Sequence, residues 1–284
     1  MGSPGAPEAS HAALSGEQPA RASIARVYDA ALGGTDNFPI DRQVLEQVRE
    51  VAPEVNDLAW SNRRFLGRAV RFLADQGGIR QFLDCGSGLP TAENTHQLAR
   101  RVDPATRVVY VDNDPAVIVQ SEALLADDQL CRVVDADIFE PAQVLENDAV
   151  RGLLDFTQPL ALLQVGTLHH YVEDDGVELM RQYVDALPVG SFVVVAHFFD
   201  PETDELSPLA RRMEQVFLHS PMRSGVFRTR DQITDFLPDL EIVPPGPDRP
   251  GDLELCDLWW PDGPRLRPLN HVEKCIAAAV GRRI

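Results

Sequence analysis

Residues 81–91 read QFLDCGSGLPT: a short apolar run, then Asp84, then Gly86 and Gly88. Glycines at a strand-to-helix turn let the backbone pass close to a ligand because no Cβ intervenes. A phosphate is the common guest at such a turn, yet here a carboxylate stands just ahead of the glycines. Like charges about 4 Å apart repel by roughly 4 kcal/mol at an effective dielectric of 20. The turn therefore disfavours a pyrophosphate and suits a ligand that is cationic at this end. Two further acids occupy comparable places, Asp112 at the end of RVVYVD and Asp137 in DADIF.

These acids act together only if the elements that carry them end side by side. Short apolar runs predict strands over 79–84, 107–112, 131–136, 160–165 and 191–198, with helices near 91–102, 114–126 and 175–187. Alternating strands and helices imply a parallel sheet with right-handed crossovers. Ligands of such sheets bind beyond the carboxyl ends of the strands, where Asp84, Asp112 and Asp137 converge. Upstream, SIARVYDAALGG and NDLAWSNRRFLGRAVRFLADQGG carry apolar stripes at helical spacing and close on glycines. Downstream, SPLARRMEQVFL reads as a helix, and TRDQ is a capping box starting another at about Thr229. LEIVPP and KCIAAAVGRR read as a last pair of strands, although the composition of the second suits a helix equally well.

S-adenosyl-L-methionine fits the three acids, since it has no phosphate and carries a sulfonium and an α-ammonium. Asp84 can hold the positive methionine end beside Gly86 and Gly88. Asp112 can accept both ribose hydroxyls, and Asn113 can flank the adenine. Asp137 can accept from the adenine amino group while the Ile138 N–H meets a ring nitrogen. LQVGTLHHYVEDD follows the fourth strand, which sets Gln164 to Tyr171 at the mouth of the crevice. His169 and His170 are the general-base candidates, because a neutral imidazole can take a proton as the methyl group arrives. The competing role is shaping the pocket, since alignment alone lowers such barriers substantially. His96 reads as a packed helix residue. Trp259 and Trp260 read either as a wall of the acceptor pocket or as anchors of a C-terminal loop.

The ordered trio resembles the class I, Rossmann-like S-adenosylmethionine methyltransferases. ARVYDAALGGTDNFPIDR, NRRFLGRAVRFLADQGGIRQFLDCGSGLPTAENTHQLAR, RVVYVDNDP and AAAVGRR together resemble an actinobacterial S-adenosyl methyltransferase family long catalogued as a domain of unknown function. The resemblance spans nearly all of residues 22–284. It implies an α/β fold with a mostly parallel seven-stranded sheet, an antiparallel C-terminal strand formed by KCIAAAVGRR, and a helical N-terminal cap. It further implies that the cap closes over the cofactor, with Tyr28 or Asn37 bonding its methionine end and Arg63 pairing with its carboxylate. Pro90 stands where a third glycine is common in such proteins, and there it would pre-set the first turn of the following helix. The acceptor stays open. A non-catalytic S-adenosylmethionine-binding protein is the alternative, and Asp84 argues against an NAD-dependent oxidoreductase.

Composition narrows the setting. The chain of 284 residues is 44% hydrophobic, enough for a full core. A formal net charge of -18 opposes non-specific binding to nucleic acid or anionic membrane. Cys85, Cys131, Cys256 and Cys275 form no metal or disulfide pattern. No run is long enough to span a membrane, the N-terminus has no signal pattern, and Ala6 breaks a myristoylation motif. The expectation is a cytoplasmic protein with a small-molecule partner. Residues 1–20 are expected to be a disordered tail, 21–78 the helical cap and 79–284 the cofactor-binding domain.

Overall fold

The computed structural model describes residues 19–91 and 93–284, so the expected tail lies outside the described residues except for its last two positions. Five parallel strands form the centre of the sheet: β1 (Gln81–Cys85), β2 (Arg107–Asp112), β3 (Cys131–Asp135), β4 (Ala161–Val165) and β5 (Phe192–Phe198). Two short strands, β6 (Glu241–Ile242) and β7 (Glu254–Leu255), and the long β8 (Ile276–Arg282) complete it. The order is β3-β2-β1-β4-β5-β8-β6, with β7 also paired to β8. Seven strands therefore lie on the main path, and β7 is an eighth that the sequence pattern does not announce.

Consecutive strand residues feed opposite cores. Phe82, Val108, Leu163, Val194 and Ala278 join the core on one face, while Leu83, Val109, Leu162, Val193 and Ala277 join the core on the other. A sheet buried on both faces explains why these strands read as continuous apolar runs. The alanine-rich β8 is antiparallel to β5, from Phe192 opposite Arg282 to Phe198 opposite Ile276. The open edge of β5 outweighs the helical preference of alanine. LEIVPP contributes only the two residues of β6, because Pro244 and Pro245 have no N–H with which to extend the ladder.

Ahead of the sheet come α1 (Ile24–Leu32), α2 (Pro39–Arg49) and α3 (Val55–Asp75). The stripe Leu58, Phe65, Ala69, Val70 and Leu73 of α3 is buried in the core with Phe82 and Ala278. The later helices are α4 (Thr95–Arg100), α5 (Pro115–Leu125), α6 (Pro141–Leu145), α7 (Asp148–Leu153), α8 (Gly176–Ala186), α9 (Ser207–His219) and α10 (Arg230–Thr234). The helix after the glycine turn is shorter than expected. Asn94 starts it, its N–H donating to Gln97 Oε1 at 2.8 Å, so Pro90 belongs to the preceding loop rather than to a first helical turn. Thr229 caps α10 as the capping box predicts, with its N–H donating to Gln232 Oε1 at 3.0 Å. Among the described residues no helix is long and apolar enough to cross a membrane.

Candidate active site

The glycine turn is pinned from the neighbouring strand. Gly86 and Gly88 adopt φ of 72° and 65°, a region that favours glycine. Gly86 N–H donates to the Val111 carbonyl at 2.8 Å, and Gly88 N–H donates to Asp112 Oδ2 at 2.9 Å. A Cβ on Gly86 would fall 2.4 Å from Thr167 Cγ2, whereas one on Gly88 would project into open space. The first glycine thus allows close packing against the β4 loop. The second leaves the surface of the turn bare.

Asp84 lies at the floor of this turn, buried, with its Oδ2 accepting from Thr95 Oγ1 at 2.6 Å. Burial raises its pKa from 3.8 to about 6, opposed by the Thr95 bond and by the Arg63 charge. Asp112 is also raised, mainly by burial, while N–H donors from Asp114 and Gly88 oppose the shift. Asp137 Oδ1 accepts from Phe139 N–H at 2.9 Å.

A cavity of about 910 Å³ opens above these residues and is bounded by Tyr28 of α1 and by Asn62 and Arg63 of α3. It runs from Asp84, Gly86, Gly88, Asp112, Asn113, Asp137 and Ile138 to Thr167, His169 and His170. Both histidines line it. His169 stacks on Phe198 with ring centroids 3.5 Å apart at 9°, and His170 Nδ1 lies 2.9 Å from Ser224 Oγ. Burial drives both imidazoles to the neutral form, His170 down to about 3. Ligand cavities run roughly 300 to 1,000 Å³, so this one lies near the top of that range.

The sequence profile of the S-adenosyl methyltransferase family matches residues 11–284. The chain belongs to this S-adenosyl methyltransferase family. A Thermobifida fusca protein described as a candidate methyltransferase is 38% identical over 93% of this chain and 95% of its own, with a TM-score of 0.85. A DUF574 family protein from Streptomyces avermitilis is 33% identical over 93% of this chain and 98% of its own, with a TM-score of 0.84. An O-methyltransferase family protein from Burkholderia thailandensis shares the fold at 11% identity and a TM-score of 0.50, over 90% of this chain and 70% of its own. No curated protein matches the chain. The protein is an S-adenosylmethionine-dependent methyltransferase with a Rossmann-like fold.

The cavity of this S-adenosyl methyltransferase fits that cofactor. Its bare glycine turn, strand-end acids and cationic Arg63 face one space. Asn62 Oδ1, Ser87 Oγ and His169 Nδ1 line or border the same space as buried polar atoms without a protein hydrogen bond. Such atoms are costly to leave unpaired, by about 1–3 kcal/mol each, so three residues of this lining have polar capacity to offer a guest.

Two expected contacts are held elsewhere. Asn37 lies outside the cavity lining: its amide donates to Asp29 Oδ2 at 2.8 Å and to the Gly34 carbonyl at 3.0 Å, and its Oδ1 accepts from Arg42 at 2.7 Å. It braces the α1–α2 corner. Gln164 is fully buried behind the β4 loop, where its Oε1 accepts from Thr167 Oγ1 at 2.7 Å. Tyr28 does line the cavity, but its hydroxyl donates to the Ala59 carbonyl at 3.1 Å and accepts from Asn62 at 3.0 Å. Arg63 donates to Thr91 Oγ1 and to the Glu93 carbonyl, which ties α3 to the glycine loop.

The sequence pattern assigns no role to Asn62, Thr95, His197 or Arg228. Asn62 packs against the end of β4, where a Cβ on Gly166 would lie 2.8 Å from its Nδ2. Arg228 donates to His197 Nε2 at 2.9 Å and to the Leu168 and Tyr171 carbonyls at 3.1 and 2.8 Å, holding the turn that carries the histidine pair. Adjacency of Asn62 to Arg63 in NRRF was the one available signal; no spacing rule links residue 228 to residue 168. Trp259 and Trp260 resolve as loop anchors. Trp259 packs edge-on against Phe65 and Phe72 at 5.3 and 5.4 Å, and Trp260 Nε1 donates to the Pro244 carbonyl at 2.7 Å. His96 is packed as expected, its Nδ1 2.7 Å from the Tyr110 hydroxyl.

Proposed function

We propose that the enzyme methylates a small-molecule acceptor lying against His169 and His170, with the cofactor held over the ends of β1, β2 and β3. The observation that carries this reading is the continuity of one cavity from the Asp84–Gly88 turn to the histidine pair. In it Asp112 accepts from the ribose hydroxyls, Asn113 flanks the adenine, and Asp137 with the Ile138 N–H reads the adenine edge. Asp84 and the unpaired Asn62 Oδ1 accept from the α-ammonium, and Arg63 meets the methionine carboxylate. When bound, S-adenosylmethionine supplies an electrophilic methyl group on a sulfonium.

The chain's own work is to orient, to exclude water and to receive a proton. Helices α1 and α3 cover the cavity from above, since Ala25, Val27, Ala59 and Leu66 line it. His170, fixed through Ser224, keeps its other ring nitrogen for the acceptor proton, and Arg228 positions the turn that holds it. The test is calorimetry with S-adenosylmethionine and with NAD, followed by incubation of the enzyme and labelled methyl donor with fractionated metabolite extracts. S-adenosylmethionine should bind and labelled product should accumulate with S-adenosylhomocysteine. Preferential binding of NAD would refute the cofactor placement, and cofactor binding without product from any fraction would refute the acceptor class.

A further inference from the structure

The cavity has two chemically different halves, and β4 divides them. In the sheet order β1, β2 and β3 lie on one side of β4, and β5 and β8 on the other. The acids that line the cavity, Asp84, Asp112, Asp114 and Asp137, all stand at or just beyond the ends of β1, β2 and β3. The opposite half is lined by Phe198 at the end of β5, Ile276 paired with it in β8, Phe217 of α9, Met222 after α9, and Leu45 and Leu58 of the cap helices. No acid lines that half among the described residues. Among the described residues the one charged side chain lining that half, Arg223, is exposed at the rim.

The apolar half also has a flat aromatic face. Phe198 stacks on His169 and lies nearly parallel to Phe217 at 5.3 Å and 17° and to Phe227 at 4.9 Å and 24°. The polar atoms beside this face belong to the His169–His170 turn, where Ser224 holds His170. An ammonium entering here would lose its hydration without a carboxylate to meet it, and a carboxylate would be stripped of water against aromatic rings. A flat neutral ring meets neither cost, and contact with the rings of Phe198 and Phe217 that line the chamber rewards it.

Resting on the methyltransferase reading of this cavity, we propose that the acceptor is an uncharged aromatic hydroxyl compound, its ring in the chamber of Phe198, Phe217, Met222, Leu45 and Leu58, and that it is methylated on oxygen. A lone pair of the acceptor oxygen forms the new bond to the methyl carbon as the carbon–sulfur bond breaks, both of its electrons staying on sulfur. The hydroxyl proton passes to the His170 imidazole and then to water. Burial makes that imidazole a weak base, with a pKa down to about 3. A weak base suffices here, because the hydroxyl oxygen grows strongly acidic as it is alkylated.

The experiment uses full-length protein saturated with S-adenosylhomocysteine, titrated at neutral pH with 2-naphthol, 2-naphthoate and 2-(2-naphthyl)ethylamine. 2-Naphthol should bind at least about tenfold tighter than either charged probe, a gap of ~1.4 kcal/mol. With S-adenosylmethionine it should yield 2-methoxynaphthalene by mass spectrometry. Met222→Trp, at a half-exposed turn, should abolish naphthol binding and leave S-adenosylhomocysteine binding unchanged. Equal or tighter binding of a charged probe overturns the proposal, as does wild-type naphthol affinity in Met222→Trp. Absent naphthol binding in a protein that still binds S-adenosylhomocysteine overturns the acceptor class alone, whereas failure to bind S-adenosylhomocysteine removes the broader reading as well. The comparison of the three probes on wild-type protein does not depend on the variant.

Discussion

Buried beside the glycine turn with a hydrogen bond from Thr95, Asp84 keeps its proton up to about pH 6 in the ligand-free protein. An ammonium placed beside it would favour the ionised form, so cofactor affinity should fall as pH drops below about 6, measured by calorimetry across pH 5 to 8. The same shift has a stability sign. A folded-state pKa above the unfolded value means that the group favours folding fully below about 3.8 and loses that contribution as pH rises through about 6. Asp84→Asn should therefore raise the stability of ligand-free protein at neutral pH, by up to about 3 kcal/mol, while weakening S-adenosylmethionine more than methylthioadenosine. Equal weakening of the two would reduce Asp84 to a brace for the turn. Asp112 has two duties, accepting from Gly88 N–H and from Asp114 N–H while lining the cavity. Asp112→Ala should cost roughly 1.5 to 3 kcal/mol of cofactor affinity, read by calorimetry on protein whose circular dichroism is unchanged.

The start of α1 is fastened beside the cavity by a small polar cluster. Ser23 Oγ donates to Asp114 Oδ2, and Asp41 accepts from Ser23 N–H at 2.9 Å and pairs with Arg26 at 2.9 Å. Asp114 is also the N-cap of α5, its Oδ1 accepting from Ala116 N–H at 2.8 Å. One carboxylate thus joins the start of α1 to the loop after β2. Ser23→Ala removes that hydrogen bond and leaves Arg26 paired with Asp41 at 2.9 Å and, more loosely, with Asp114 at 3.7 Å, so S-adenosylhomocysteine should dissociate faster at a stability cost of about 1 kcal/mol. Stopped-flow displacement reads the rate; an unchanged rate would mean that the fastening does not govern release. The helical pattern of α1 and α3 was legible in the sequence because a 3.6-residue stripe is local. The contacts that lay α1 over the crevice join residues 23 and 114, and no local pattern encodes them.

At the scale of the molecule, the cavity is walled by residues from the cap helices, the strand ends and α9, so a ligand bound there should stabilise all of them together. At a hundredfold excess over Kd, S-adenosylhomocysteine should add about 2.7 kcal/mol and raise Tm by about 5 °C in differential scanning fluorimetry, most of which Asp112→Ala should forfeit. A shift confined to proteolytic protection of α1, with no rise in Tm, would place the ligand under the cap alone. Strand runs, turn glycines and the acids at strand ends were readable from the chain because each obeys a short-range rule: alternation, the absence of a Cβ, or position at an element's end. The pairing of β8 with β5 had to be completed by the fold, since an alanine-rich segment becomes a strand only where an open edge receives it. Asn37 and Gln164 had the right side chains at plausible positions, yet nearer partners, Asp29 and Arg42 for one and Thr167 for the other, claimed them. The split of the cavity into an acidic and an aromatic half came likewise from strand order, which brings residues 45, 198, 217 and 276 together across more than two hundred positions of chain. Side-chain chemistry is written residue by residue, but which groups share a space follows from long-range packing.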